Sequence, residues 1–327
     1  MEESVLEAKH FVIAVGAKPT KLGIPGEEHL ITSTDFLDLN ELPARIAFVG
    51  GGYISMEFAN IAVRAGAKVT VLHRGSRPLR GFDPDLVDKV ILAARGAGVD
   101  LKLETLVERM AKTASGVTVE VSSPSGSQTL EADVVVHGAG RVPEIDDLDL
   151  ATAGVDSGMR GVLVNEFLQS VSNSTVYAAG DAADTAGYPL TPVAALEGQV
   201  VAHNLLNGNE VRPDYRGTPT VAFTLPPIAA VGLGEEEARS QGLKWRVNFQ
   251  DTSGWYSSRR VGEEFSASKV LVQTDTGRIL GAHLLGPSAD ELINIFALAI
   301  RRGLTADDLK DTIFAYPTHA SDVGYMV

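Results

Sequence analysis

The chain has 327 residues, 44% hydrophobic and 21% charged, with no cysteine. This length suggests about two domains of roughly 150 residues, and the missing cysteine excludes any disulfide framework, zinc–cysteine site, iron–sulfur cluster or thiol nucleophile within the chain. Lys and Arg number 28 against 42 Asp and Glu, a formal charge of −14, which argues against bulk binding to nucleic acid or anionic membrane. Met1–Lys9 shows no basic segment followed by an apolar one, and no stretch is long and apolar enough to span a bilayer, so a soluble cytoplasmic protein without a metal site is expected.

In chain order, His10–Gly16 reads as a strand running into a glycine turn, and Lys18–Gly26 as loop. Arg45–Val49 is a predicted buried strand, followed by Gly50-Gly51-Gly52 and a predicted helix over Tyr53–Arg64. Lys68–Leu72 is the next predicted strand. Asp83-Pro84 predicts an N-cap with proline at the first helical position, opening a helix through about Arg95. Leu101–Leu103 and Val117–Val121 alternate like strands, Pro124–Gly126 reads as a turn, and Asp133–Val136 as a buried strand. Strand, helix, strand, helix and then a strand meander make a nucleotide-binding unit. Further on, Ser174–Ala179 predicts a strand before Gly180-Asp181, and Val193–Leu206 a helix. Beyond Pro213 the sequence predicts strands at Thr220–Thr224 and Lys269–Thr274, and a helix opened by a capping box at Ser288–Glu291 and running through Arg302. A second short helix is expected from Thr305–Asp308.

Gly50-Gly51-Gly52-Tyr53-Ile54-Ser55 fits Gly-x-Gly-x-x-small between a strand and a helix. In that pattern Gly50 permits the tight turn, Gly52 lets the backbone approach a pyrophosphate, and Ser55 is small enough for helix and strand to pack. The pyrophosphate would sit on the helix N-terminus. An NAD-binding chain places an acid at the end of the second strand, to hold the ribose 2′-hydroxyl. Here the run is His73-Arg74-Gly75-Ser76-Arg77-Pro78-Leu79-Arg80, with three arginines and no acid. Guanidinium forks match a phosphate, so the residues point to NADP(H), with Arg74 and Arg80 as the candidates for its 2′-phosphate. A solvated basic loop is the alternative.

These residues, in this order, resemble the class I pyridine nucleotide–disulfide oxidoreductases, the glutathione reductase and dihydrolipoamide dehydrogenase family. Ala14–Pro19 resembles the strand-turn that closes the first FAD segment, Gly50–Glu57 the NAD(P) helix, and Gly138–Pro143, including Gly140, the strand-turn that leaves the NADP domain. Thr175–Asp181 resembles the FAD aspartate motif, Leu190–Ala194 the loop under the flavin, and Pro219–Phe223 with Pro226–Gly232 the start of an interface domain. The resemblance implies an α/β fold: a Rossmann-like NAD(P)-binding domain (44–140) inserted in a partial FAD-binding domain (1–43 and 141–212), plus a C-terminal α+β dimerisation domain (213–327).

The resemblance also implies roles. Gly180 and Asp181 would meet the FAD ribityl chain, and Thr191, Pro192, Val193 and Ala194 would face the isoalloxazine. Tyr53 resembles the tyrosine covering the flavin, and Glu57 the glutamate near the nicotinamide amide. The implied activity is that of an NADPH-dependent FAD flavoprotein oxidoreductase, passing hydride from NADPH to flavin and electrons on to a disulfide or other small-molecule acceptor, as a homodimer.

Two departures stand against this pattern. The family's own Gly-x-Gly-x-x-Gly for FAD and its redox cysteine pair are not in the chain, which suggests a truncated product or one part of a split protein. The family's terminal His-Pro-Thr-x-x-Glu is replaced by Tyr316-Pro317-Thr318-His319-Ala320-Ser321. Tyr316 stands at the histidine position, and tyrosine is a poor general base near neutral pH. His319 with Asp322 is an alternative pair. A catalytically silent, NADP-binding and dimerising fragment is therefore the second reading.

Overall fold

The computed structural model describes residues 6–327. They form two compact units, one of residues 6–20 with Arg141–Tyr215, the other of Lys21–Gly140 with Arg216–Val327.

In the larger unit, five parallel strands lie in the order Leu30–Ile31, Val134–His137, Arg45–Val49, Lys68–Leu72, Asp100–Lys102. The central strands are near-continuous apolar runs because helices cover a parallel sheet; Ile46, Phe48 and Val71 are buried. Helix Tyr53–Arg64 begins where the sequence places it, and Met56, Ala59 and Ala62 face the core. Helix Pro84–Gly96 starts on the expected cap: the Asp83 carboxylate accepts the amides of Asp85 (3.1 Å) and Leu86 (3.3 Å). The meander is Leu106–Thr113, Gly116–Ser123 and Gly126–Ala132. Its first strand escapes the sequence reading because a register shift between Val107 and Arg109 breaks the alternation of buried residues.

The C-terminal part of this unit is an antiparallel sheet, in the order Thr220–Ala222, Ile228–Gly232, Ile279–Leu285, Ala267–Gln273, Trp245–Asp251. Helix Ala289–Arg302 packs Ile293 and Phe296 into it. The capping box expected at Ser288 does not form. Ser288 has φ 60° and caps nothing with its side chain; its backbone carbonyl accepts the Glu291 amide instead, at 3.1 Å. The left-handed backbone turns the hydroxyl away from the helix end. At Thr305 the box is present, with Asp308 donating its amide to Thr305 Oγ1 (3.1 Å) and accepting the Thr305 amide (2.7 Å).

The smaller unit pairs Phe11–Ile13 in parallel with Val176–Ala178, and Ala17–Pro19 antiparallel with Arg141–Pro143. Its helix, Thr191–Asn207, starts two residues earlier than expected because Pro192 serves as a first-turn residue. Val193, Val200 and Val201 are buried along it.

Candidate functional site

In the larger unit the strand Arg45–Val49 delivers the chain to Gly50. Gly50 has φ 111°, and its amide donates to the Leu72 carbonyl at 2.9 Å. A Cβ there would collide with the Gly138 carbonyl oxygen, so only glycine fits. Gly52 is the N-cap of Tyr53–Arg64, and no side chain caps that helix, which leaves its first turn to meet a ligand. Ser55 is fully buried against Gly138, and its hydroxyl has no hydrogen-bond partner. An uncapped helix start above a turn that admits no side chain suits a pyrophosphate, and the residues present fit a dinucleotide. Gly140, φ 113°, is exposed where this unit ends.

The loop after Lys68–Leu72 carries the arginines. Arg74 and Arg80 are exposed and make no hydrogen bond or ion pair among the described residues. Arg77 is engaged: its Nε donates to Asp88 Oδ1 (2.7 Å) and its Nη2 to Asp88 Oδ2 (2.9 Å).

Tyr53 and Glu57 lie one helical turn apart and both meet the segment that opens the C-terminal sheet. Tyr53 shares a hydrogen bond with Thr220 Oγ1 at 2.8 Å, and its ring tilts against Phe82 at 5.5 Å. Glu57 Oε1 accepts the Phe223 amide at 2.9 Å. Burial raises the Glu57 carboxyl above its ordinary 4.5, and the Phe223 amide partly opposes this. A raised carboxyl contributes stability that is fully present below the ordinary pKa and lost as pH rises through the folded value. Glu57→Gln keeps an acceptor for the amide, so its unfolding free energy should match wild type at acidic pH and exceed it slightly at neutral pH, by under about 1 kcal/mol. Urea melts across pH 4–8 check this, and parallel curves for the two proteins would refute it.

Tyr316 is 78% exposed, in the loop between Ala306–Asp311 and His319–Asp322. No hydrogen bond joins His319 to Asp322 among the described residues. Burial, with Arg260 nearby, lowers the His319 pKa, and Asp322 opposes this.

The smaller unit holds a cleft of about 480 Å³. Gly16, Gly180, Asp181, Thr191 and Ala194 line it. The Asp181 carboxylate is half-buried and makes no hydrogen bond among the described residues. Pro192 is exposed, while Val193 turns into the core. Beneath the cleft lies a residue that sequence reasoning missed. Glu197 is 1% exposed. One of its oxygens accepts the Gly180 amide (2.7 Å), and the other accepts the hydroxyls of Thr185 (2.8 Å) and Tyr215 (2.6 Å). Burial, and then the bond to Glu197, raise the Tyr215 pKa. Glu197 thus fixes the Gly180–Asp181 turn. The signal was present: it shares one helical stripe with Val193, Val200, Val201 and Asn204, and an acid on an apolar stripe implies a satisfied buried carboxylate. An open acid beside an uncapped helix start suits the hydroxylated chain and ring of a flavin, so this half-site fits that group.

Comparison with known proteins identifies the family. Residues 1–198 match the pyridine nucleotide-disulphide oxidoreductase family, and residues 218–327 match its dimerisation domain. The chain belongs to this family. It is 34% identical to a mercuric reductase of Staphylococcus aureus, covering 96% of this chain and 58% of that protein. It is 33% identical to a glutathione reductase of Nostoc, covering 98% of this chain and 72% of the relative. The solved HOCl-induced flavoprotein disulfide reductase RclA from Escherichia coli superposes with a TM-score of 0.86 at 30% identity, over 96% of this chain and 72% of that one. The chain thus spans little more than half of the mercuric reductase. Among the described residues, no helix is long and apolar enough to cross a membrane.

Proposed function

We propose that this chain carries the NADP(H) site and a flavin-facing half-site of an NADPH-dependent flavoprotein oxidoreductase. The supporting observation is the pair Arg74 and Arg80, exposed and unpaired on the loop where an NAD site would hold an acid. When bound, the nicotinamide supplies a hydride and the flavin relays its electrons to an acceptor. Gly50 and Gly52 admit the pyrophosphate, and Arg74 and Arg80 clamp the 2′-phosphate. Tyr53 and Glu57 line the nicotinamide end of the helix. Asp181 holds the ribityl chain, Thr191–Ala194 meet the ring, and Tyr316 stands at the family's terminal acid–base position. The acceptor is a disulfide or a small molecule. The chain works as a homodimer through residues 218–327, in the cytoplasm.

Arg74→Ala should weaken NADPH binding by about 10- to 100-fold, as expected for one lost charge-assisted contact to phosphate, and leave NADH binding unchanged. Fluorescence titration with both nucleotides measures this, and equal wild-type affinities would refute the assignment.

One observation favours the silent-fragment reading. Phe11 and Val12, on the strand bordering the flavin cleft, are 50% and 47% exposed. Purified chain that is colourless and binds NADPH without oxidising it supports that reading, whereas a yellow protein with one flavin per chain that oxidises NADPH removes it.

A further inference from the structure

The loop bearing Arg74 and Arg80 is tied down by contacts to the glycine turn and to the helix Pro84–Gly96. The His73 ring lies against the glycine turn: a Cβ on Gly51 would come within 2.7 Å of it. Its Nε2 meets the Arg77 carbonyl at 2.8 Å; a carbonyl only accepts, so Nε2 carries the proton. Leu79 takes φ 50°, a conformation a leucine adopts only when its surroundings impose it. Its amide donates to the Gly51 carbonyl at 2.7 Å, and its side chain is buried. Between these points, Arg77 forks onto Asp88. Asp88 stands on the helix Pro84–Gly96, whose start is fixed by the Asp83 cap. Among the described residues, this two-bond fork is the loop's side-chain hydrogen-bonded anchor to a regular element, beside the apolar packing of Leu79.

We propose that Asp88 is a positioning residue for NADP(H) specificity: through Arg77 it holds the loop that aims Arg74 and Arg80 at the 2′-phosphate. This rests on the NADP(H) reading above. It also predicts a sign opposite to simple electrostatics. A carboxylate near an anion site repels the anion, so neutralising it should tighten binding. If Asp88 acts by holding the loop, neutralising it loosens binding, because the arginines must then be ordered at the expense of binding free energy.

The test is equilibrium titration of the full chain with NADPH and NADH, for wild type, Asp88→Asn, Arg77→Ala, the double variant and Arg74→Ala. The proposal expects NADPH to bind about two- to fivefold more weakly to Asp88→Asn and to Arg77→Ala, the range of a well-formed exposed ion pair. The double variant should bind no more weakly than either single one, and NADH affinity should stay unchanged. A fold defect would move both nucleotides together. If Asp88→Asn binds NADPH as tightly as wild type or tighter, the positioning role is overturned. If Arg77→Ala weakens NADPH while Asp88→Asn does not, Arg77 is itself a phosphate ligand, and the proposal fails in that form. If wild type does not prefer NADPH, or Arg74→Ala changes nothing, the underlying NADP(H) reading fails and takes this inference with it.

Discussion

Lys269→Met should destabilise the protein by about 3–5 kcal/mol, the cost of leaving one member of a buried ion pair without its partner. Lys269 lies on the strand Ala267–Gln273, and its ammonium is nearly inaccessible. It donates to Asp83 (2.8 Å), Asp85 (2.5 Å) and Glu235 (3.1 Å). Burial pulls its pKa down, but the bonds to Asp83 and Asp85 outweigh this and hold it above the ordinary value. Asp83 is buried as well, whereas Asp85 and Glu235 reach solvent, so Asp83 bears most of the loss. The cluster fastens the start of the helix Pro84–Gly96 to the C-terminal sheet. Adding Asp83→Asn should recover part of the stability, because it removes the stranded charge and keeps an N-cap.

His283 pairs with Lys269 across the two strands, and its Nδ1 is buried without a partner. Burial holds its imidazole below the ordinary 6.5, with Lys269 pushing the same way; Asp83, Glu237 and its bond to the Leu233 carbonyl oppose them. The unfolded chain therefore binds the extra proton first, and wild type loses stability as pH falls through about 6.5. Without Lys269 the imidazole can take up that proton beside Asp83, so the variant should lose less than wild type over the same range. Chemical denaturation at several pH values measures both effects. A loss below about 1 kcal/mol at neutral pH would show that the cluster does not hold the two parts together.

Gly50→Ala should cost about 3 kcal/mol or more and abolish dinucleotide binding. The new Cβ meets the Gly138 carbonyl group at the end of a central strand, where the backbone cannot move aside. Gly66 supplies the control: its φ is 100°, yet a Cβ there meets nothing within 4 Å. Gly66→Ala reports backbone strain alone, about 1 kcal/mol, and the excess at position 50 is the close approach. Thermal melts and nucleotide titration of both variants provide the comparison, and equal losses would remove the close-approach argument.

The parts of the fold legible in sequence are those where a local rule and the tertiary environment agree. Arg45–Val49, Tyr53–Arg64 and Lys68–Leu72 carry strong buried patterns and end on glycine or charge, and the structure has them at those residues. Asp83-Pro84 and Thr305–Asp308 specify their caps through side chains in sequence contact. Ser288-Ala289-Asp290-Glu291 carries the same kind of capping pattern, but its backbone is left-handed after the neighbouring strand end, and no local pattern encodes that. Ile228–Gly232 and Ile279–Leu285 escaped because their alanines and glycines weaken the period that marks a strand. At the candidate sites the glycine turn was legible because its backbone admits only glycine at Gly50, and the exposed arginines because they form a basic run without an acid. Glu197, Asp88 and Lys269 were not, because each acts through partners distant in sequence.

That distance has a consequence for how the chain reaches its native state. Each unit is built from two stretches, and each waits for residues that come after part of the other. The Arg45 fork onto Asp133 spans 88 positions, the bond from Arg141 to the Ala17 carbonyl 124, and the Lys269–Asp83 bond 186. Closing loops of that size precedes any gain from the contacts, so folding is slow and the parallel sheet stays open until Val134–His137 has been made. A ribosome that has delivered the glycine turn has not yet delivered Val134–His137, the strand that braces it. Nucleotide present during translation can therefore bind only after that strand has docked, and it then acts by trapping the closed sheet.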